Sequence, residues 1–156
     1  QVPAHLPQIV ADERACRQIL INLLSNAVKF SHPNSTVTLA IKRHGQSLNI
    51  SVSDNGIGMG NEEMDRIGEP FFQANAGLSR DYEGTGLGLS IVKGLVELHD
   101  GSLHATSEPE QGTVMTVLLP INGPETKIEE TATVTHLREP IRQQMSEWHD
   151  ERRKAQ

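Results

Sequence analysis

Apolar positions recur at helical intervals between Asp12 and Phe30. Cys16, Ile19, Leu20, Leu23, Leu24, Ala27 and Phe30 fall on one wide face, which predicts an amphipathic helix with Asp12 as its N-cap. Gln18, Asn22, Asn26 and Lys29 recur at the same spacing as a second stripe. Asparagine is a mediocre helix former, because its amide competes for backbone hydrogen bonds. An unpaired amide in a core costs ~1–3 kcal/mol. Two asparagines one turn apart therefore need a reason. Amide oxygens are hard ligands, and magnesium takes few protein oxygens when phosphates and waters supply the rest. An ordinary solvated helix face gives the same pattern, so the stripe alone does not choose between the two.

Further along, "LPQIVAD" reads as a short strand leading into this helix. Thr36 to Lys42 alternates, with Val37, Leu39 and Ile41 on one face, and Ser47 to Asp54 does the same with Leu48, Ile50 and Val52. "RHGQ" between them reads as a hairpin connection. "NEEMDRIG" predicts a short helix, and Asn75 to Glu83, without periodicity, a loop. Leu87 to His99 predicts a second long helix, with Leu87, Ile91, Leu95 and Leu98 inward and a stop at Gly101. "SLHATS" and "GTVMTVLLP" are two more strands around an "EPEQG" turn, and the last, apolar on both faces, is expected to be central. Helices too few to cover two faces predict an α/β two-layer sandwich: a mixed, mostly antiparallel sheet with helices on one face.

The character changes after Pro120. Residues 1–121 read as one domain, and 122–156 as a linker with a short helical tail. In that tail Ile141, Met145 and Trp148 recur at helical spacing after Pro140, and a disordered terminus is the alternative. Composition fits a globular chain, with 36% hydrophobic and 22% charged residues among 156. A net charge of -6 argues against a general nucleic-acid binder. The single cysteine, Cys16, lies on the apolar helix face, which predicts a structural thiol and no disulfide framework. No apolar run approaches ~20 residues and no signal-peptide pattern opens the chain. The expectation is a cytoplasmic segment without membrane contact of its own, whether or not a longer parent chain is membrane-anchored.

Two glycine clusters carry the candidate chemistry. "DNGIGMG", Asp54 to Gly60, follows a strand directly. Asn-Gly is a common turn pair, but a simple turn does not need three glycines. Repeated glycines permit close backbone approach to a ligand. An aspartate there can accept from the exocyclic amine of adenine, whereas guanine presents a carbonyl oxygen. "GTGLGLS", Gly84 to Ser90, opens the second long helix, and a glycine-rich helix N-terminus suits phosphate. It is not a Walker A loop, since no Lys-Ser/Thr pair follows, and its context is not that of a dinucleotide fingerprint.

The order of these pieces resembles the catalytic and ATP-binding domain of sensor histidine kinases, within the wider Bergerat-fold group of gyrase, Hsp-type chaperone, MutL and kinase ATPases. The resemblance runs from about Leu6 to Pro120: "QILINLLSNAVKF" is similar to the N box, "DNGIGM" to the first glycine box, "EPFFQ" to the F box and "GTGLGLSIV" to the second glycine box. It implies that Asn26 holds magnesium, with Asn22 supporting metal or phosphate, that Lys29 contacts phosphate, and that Phe30 lines the nucleotide. Asp54 would bind the adenine amine, Gly56 and Gly58 would shape the pocket, and Phe71 and Phe72 would anchor the base of a lid. Arg80 is similar to the lid's phosphate-reaching base, a solvated loop arginine being the alternative. Gly84, Thr85, Gly86, Leu87 and Gly88 would hinge the lid and offer N–H groups to phosphate, and Thr113 would stand behind the adenine.

There are departures. Only Gln1 and Val2 would remain of a strand that usually comes first, so the chain reads as a cut fragment, and the phosphoacceptor and dimerisation helices of the family are not in it. Asp81 stands where many relatives have a second basic residue. The implied function is binding of ATP and Mg2+ and donation of the γ-phosphoryl group to a histidine on a helical domain supplied elsewhere, with a response regulator next in line. His136, in "HLREPI", lacks the acidic neighbour of an acceptor motif and follows the domain instead of preceding it. A gyrase- or MutL-type ATPase would need a glutamate at Asn22 as general base. The intact boxes argue against a binding-only pseudokinase domain. "EPFF" and the lack of a glutamate at Asn22 argue against a small anti-sigma-type serine kinase.

Overall fold

Asp12 caps the first helix as its spacing predicts: Oδ1 accepts from the N–H groups of Arg14 at 2.7 Å and Ala15 at 3.0 Å, a cap worth about 1 kcal/mol. The helix, α1, runs Glu13–Phe30. This computed structural model describes residues 1–73 and 85–124, all within the first of the two units into which the chain divides, Gln1–Glu125 and Thr126–Gln156. The whole of the expected loop, Asn75 to Glu83 with Arg80, Gly84 after it, and nearly all of the expected linker and tail lie outside the described residues.

The described order is α1, β1 (Thr38–His44), β2 (Ser47–Ser53), α2 (Asn61–Met64), α3 (Gly88–Glu97), β3 (Ser102–Glu108) and β4 (Gly112–Pro120). The four strands form one sheet in the order β1-β2-β4-β3, and all three pairings are antiparallel. β4 is central, as its composition predicts. Alternation puts Leu48, Ile50 and Val52 of β2, and Met115, Val117 and Leu119 of β4, on one face. Ile19, Leu23 and Ala27 of α1 and Val92 and Val96 of α3 cover it. Each of these side chains larger than Ala27 contributes roughly 1.5–3 kcal/mol on burial. The result is the α/β two-layer sandwich expected. Cys16, half-buried against the core, is free. Burial pushes its thiol pKa up, with Asp12 adding to the effect, so it is a packing residue.

Three local expectations change. "LPQIVAD" is not a strand. Pro7 removes a backbone donor there, and the segment is held by Val10 N–H donating to the Ile121 carbonyl at 2.9 Å. Ahead of it, Gln1 pairs with the edge of β1, its amine donating to the Leu39 carbonyl at 2.7 Å and its carbonyl accepting from Ile41 at 3.1 Å.

The inward face of α3 is the second change. It carries Val92 and Val96, continued by His99 just past the helix; of the expected positions Leu95 packs against the core, while Ile91 and Leu98 are exposed, at 45% and 74%. Two apolar stripes lie side by side on this helix, and periodicity does not rank them. The smaller valines approach the sheet, and His99 completes the face because both ring nitrogens are satisfied: Nδ1 donates to the Leu95 carbonyl at 2.7 Å and Nε2 accepts from Asp12 N–H at 3.1 Å.

The third change is the helix stop. Asp100, not Gly101, takes the left-handed conformation, at φ 51°. Gly101 is needed for closeness instead: a Cβ there would stand 2.5 Å from the Leu118 carbonyl oxygen of β4.

Candidate functional site

The C-terminal end of α1, the loop after β2 and the turn between β3 and β4 are laced together by main-chain bonds. Ile57 N–H donates to the Phe30 carbonyl at 3.2 Å, Glu110 N–H to the Ile57 carbonyl at 2.7 Å, and Asp54 N–H to the Thr113 carbonyl at 2.9 Å. The glycines make this possible. A Cβ on Gly56 would collide with the Phe30 carbonyl, and one on Gly58, which sits at φ 63°, with that of Glu108. A Cβ on Gly86, at φ 70°, would meet the backbone of Phe71 at 2.7 Å. The close approach that these glycines permit is therefore by the protein's own backbone, where the sequence suggested a ligand.

Between these elements and the start of α3 lies a cavity of about 390 Å³, within the range of small-molecule sites. Of the predicted residues, Asn26, Lys29, Phe30, Asp54, Gly58, Phe72, Thr85, Gly86, Gly88 and Thr113 line it. Gly56 and Leu87 do not line it. Asn22 also lies outside the lining, and its amide Nδ2 donates to the Gly88 carbonyl at 3.2 Å while its Oδ1 accepts from Gln18 at 3.2 Å. Phe71 is 74% exposed at φ 65°, and its N–H donates to the Gly86 carbonyl at 3.1 Å, so the two phenylalanines part ways: Phe72 faces the cavity and Phe71 faces out. Arg66 stacks on the Phe72 ring at 4.2 Å, and Lys29 Nζ lies 4.8 Å from the Phe30 ring centre.

Asp54 is the buried charge of the site, 8% exposed at the end of β2. Its Oδ1 accepts from Gly56 N–H at 3.0 Å and Thr113 N–H at 3.3 Å. Burial pushes its pKa above the ordinary value, and those two N–H groups oppose the shift. Its Oδ2 has no hydrogen-bond partner among the described residues, so it can accept from a ligand. Behind it, Ser107 contacts Met59 N–H, the Gly112 carbonyl and Thr113 Oγ1, each at 2.9 Å.

The expectations do not include Met115, Ile67, Ser107 or Met59. Met115 shares a face with Thr113 by strand alternation, a signal that is present in the sequence. Ile67 lies beyond α2, and the Ser107 contact with Met59 spans 48 residues, so no local pattern shows either. Among the described residues no three His, Cys, Asp or Glu side chains gather into a metal cluster. A cation at this site would depend on an amide oxygen and on a ligand's own oxygens, the ligands that hard cations take. No helix among the described residues is long and apolar enough to cross a membrane.

Comparison with known proteins follows the same lines. Residues 11–123 match the family described as histidine kinase-, DNA gyrase B-, and HSP90-like ATPase. An uncharacterized sensor-like histidine kinase of Rhizobium meliloti (strain 1021) is 45% identical over 120 residues, 77% of this chain and 23% of that protein. The solved structure of ShkA in complex with AMPPNP is 34% identical and superposes with a TM-score of 0.68 over 79% of this chain and 25% of that one. The nucleotide-free catalytic domain of histidine kinase ThkA is 27% identical, with a TM-score of 0.63 over 73% of this chain and 72% of that one. The chain spans under a quarter of the length of the curated relatives it matches. With a four-stranded antiparallel sheet covered on one face, the two glycine boxes meeting at one cavity, and this likeness over most of its length, the chain belongs to the histidine kinase-, DNA gyrase B-, and HSP90-like ATPase family and has the Bergerat fold of histidine kinase catalytic domains.

Proposed function

We propose that the chain binds ATP with magnesium and donates the γ-phosphoryl group to a histidine of a phosphoacceptor helical domain outside it, from which a response regulator takes the group. The observation that carries this reading is Asp54: a buried carboxylate with one oxygen held by two N–H groups and the other left to a ligand donor, in a cavity that also holds Asn26 and Lys29. An acceptor-only group at that depth fits the exocyclic amine of adenine. Lys29 and the N-terminal end of α3 at Gly88 supply positive potential for phosphate.

Asn26 would hold magnesium through its amide oxygen, and the metal would neutralise charge on the phosphates. Transfer breaks the bond from the γ-phosphorus to the β–γ bridging oxygen and forms one to the imidazole nitrogen. ADP carries away the electron pair of the broken bond. This chain's contribution is positioning and charge neutralisation. At Asn22 there is an amide and no carboxylate, so a water has no general base on that side of the site. This favours transfer to a histidine over hydrolysis.

The test is to incubate the full chain with γ-labelled ATP and the separately produced phosphoacceptor helical domain of its kinase. Acid-labile label on the helical domain is the expected result. Retained ATP binding with no label transferred would overturn the transfer step, and absence of ATP binding would overturn the whole reading.

A further inference from the structure

The hydroxyl of Ser107 sits at the end of β3, behind the cavity wall, and three groups meet it. Met59 N–H donates to Oγ at 2.9 Å, and Oγ also lies 2.9 Å from both the Gly112 carbonyl oxygen and Thr113 Oγ1. A serine hydroxyl has one proton and two lone pairs. The Gly112 carbonyl has no proton to give, so that contact uses the proton of Ser107. The N–H of Met59 uses one lone pair. A single lone pair is left for Thr113, which must therefore be the donor.

The consequence falls on the cavity side. Thr113 lines the cavity, and its hydroxyl proton is turned back toward Ser107. Toward a ligand it offers lone pairs alone. Its neighbour Asp54, bonded to Thr113 N–H at 3.3 Å, is acceptor-only as well. This edge of the cavity thus has a single polarity, and one hydroxyl outside the cavity sets half of it.

We propose that Ser107 is a specificity-determining positioning residue: by holding the Thr113 hydroxyl as an acceptor, it makes the cavity favour a base with an exocyclic amine over one with a carbonyl oxygen at that edge. The proposal rests on the adenine-nucleotide reading above and deepens it. Ser107 does not touch the ligand and acts through Thr113. Without it, the Thr113 hydroxyl can rotate and donate, and a carbonyl oxygen facing this edge gains a partner.

The test is calorimetric binding of ATP and inosine triphosphate, which has a carbonyl oxygen in place of the amine, to the full chain. The variants are Ser107→Ala, Thr113→Val and the pair. Ser107→Cys is a second single variant that keeps the volume with a weak donor. Wild type is expected to prefer ATP. Ser107→Ala and Ser107→Cys should lower the ATP-to-inosine-triphosphate affinity ratio by about five- to tenfold, with part of the change a gain for inosine triphosphate. In the Thr113→Val background, Ser107→Ala should leave the ratio unchanged. Equal weakening of both nucleotides would make Ser107 a clasp for Met59 and Gly112 and overturn the proposal. A ratio that shifts equally with and without Thr113 would overturn it too. A wild type that binds ATP no better than inosine triphosphate would overturn the adenine reading itself.

Discussion

The side chain of Asn22 donates to the Gly88 carbonyl at 3.2 Å, tying α1 to the first residue of α3 across 66 positions of sequence. Asn26, one turn further along the same stripe, lines the cavity instead. The two asparagines therefore separate into a strut and a ligand-facing amide. Asn26→Ala should abolish the magnesium-dependent part of ATP affinity, and the melting temperature should hold or rise, since alanine gains up to ~0.7 kcal/mol in helix propensity. Asn22→Ala should instead lose about 0.5–1.5 kcal/mol of stability with the hydrogen bond and keep the magnesium dependence. Titrations with magnesium and with chelator, beside thermal melts, read both effects. The reverse pattern would make Asn22 the metal ligand.

Asp54 sets affinity against stability. Burial raises its pKa from the ordinary 3.8. A raised value in the folded state means that the fold holds the proton more tightly than the unfolded chain does. The ionised form thus costs stability at neutral pH, and this group's contribution improves as pH falls through the folded value. Ligand binding runs the other way, because the carboxylate is the acceptor. Asp54→Asn should lower ATP affinity by about 10- to 150-fold, the equivalent of one hydrogen bond to a charged group. It should also raise or preserve the melting temperature of the free domain. ATP affinity in the wild type should fall in acid at a higher pH than an ordinary aspartate would give. A variant that unfolds while wild-type affinity stays flat down to pH 4 would contradict this.

How far the sequence reaches depends on how local each cause is. The cap at Asp12, the alternation of β2 and β4, and the amide stripe of α1 are patterns within one element, and each appears in the structure where its spacing puts it. The positions lost are those decided by contact with another element. Two equally spaced stripes on α3 are resolved by the fit of Val92 and Val96 to the sheet and by His99 reaching Asp12. The glycines of the first box are visible as glycines, but the partners that demand them, the Phe30 and Glu108 carbonyls, lie 26 and 50 positions away (56 − 30 and 108 − 58). Asn22 and Asn26 look alike in sequence because their difference is set by where α3 begins.

The face of α3 gives a stability test that does not involve nucleotide. Val96 is fully buried and Leu98 is 74% exposed. Val96→Ala should cost about 1–3 kcal/mol from lost burial and the space left behind. Leu98→Ser, nominally the harsher change, should stay within about 0.5 kcal/mol in the free chain, as surface substitutions do. Urea denaturation of both variants decides it. A larger loss for Leu98→Ser would restore the face that periodicity suggested.

Gly58, Gly60 and Gly45 separate backbone strain from crowding. Gly58 and Gly45 both have positive φ, at 63° and 60°. Around Gly45 there is nothing within 4 Å of an added Cβ, whereas at Gly58 the Cβ would run into the Glu108 carbonyl. Gly60 has ordinary extended backbone, and its nearest neighbour would be Glu63 Oε2 at 3.9 Å. Gly45→Ala should therefore cost only the left-handed strain, roughly 1–2 kcal/mol. Gly60→Ala should change stability by no more than about 0.5 kcal/mol. Gly58→Ala carries the strain and must also push the β3–β4 turn away from the box, so its loss should exceed that of Gly45→Ala by at least ~1 kcal/mol. The turn leads directly into Thr113 of β4, so Gly58→Ala should also weaken ATP binding, while Gly45→Ala, at the far hairpin, should not. If Gly58→Ala weakens ATP binding at unchanged stability, the glycine makes room for the ligand and not for Glu108, and the sequence-based reading of this box stands.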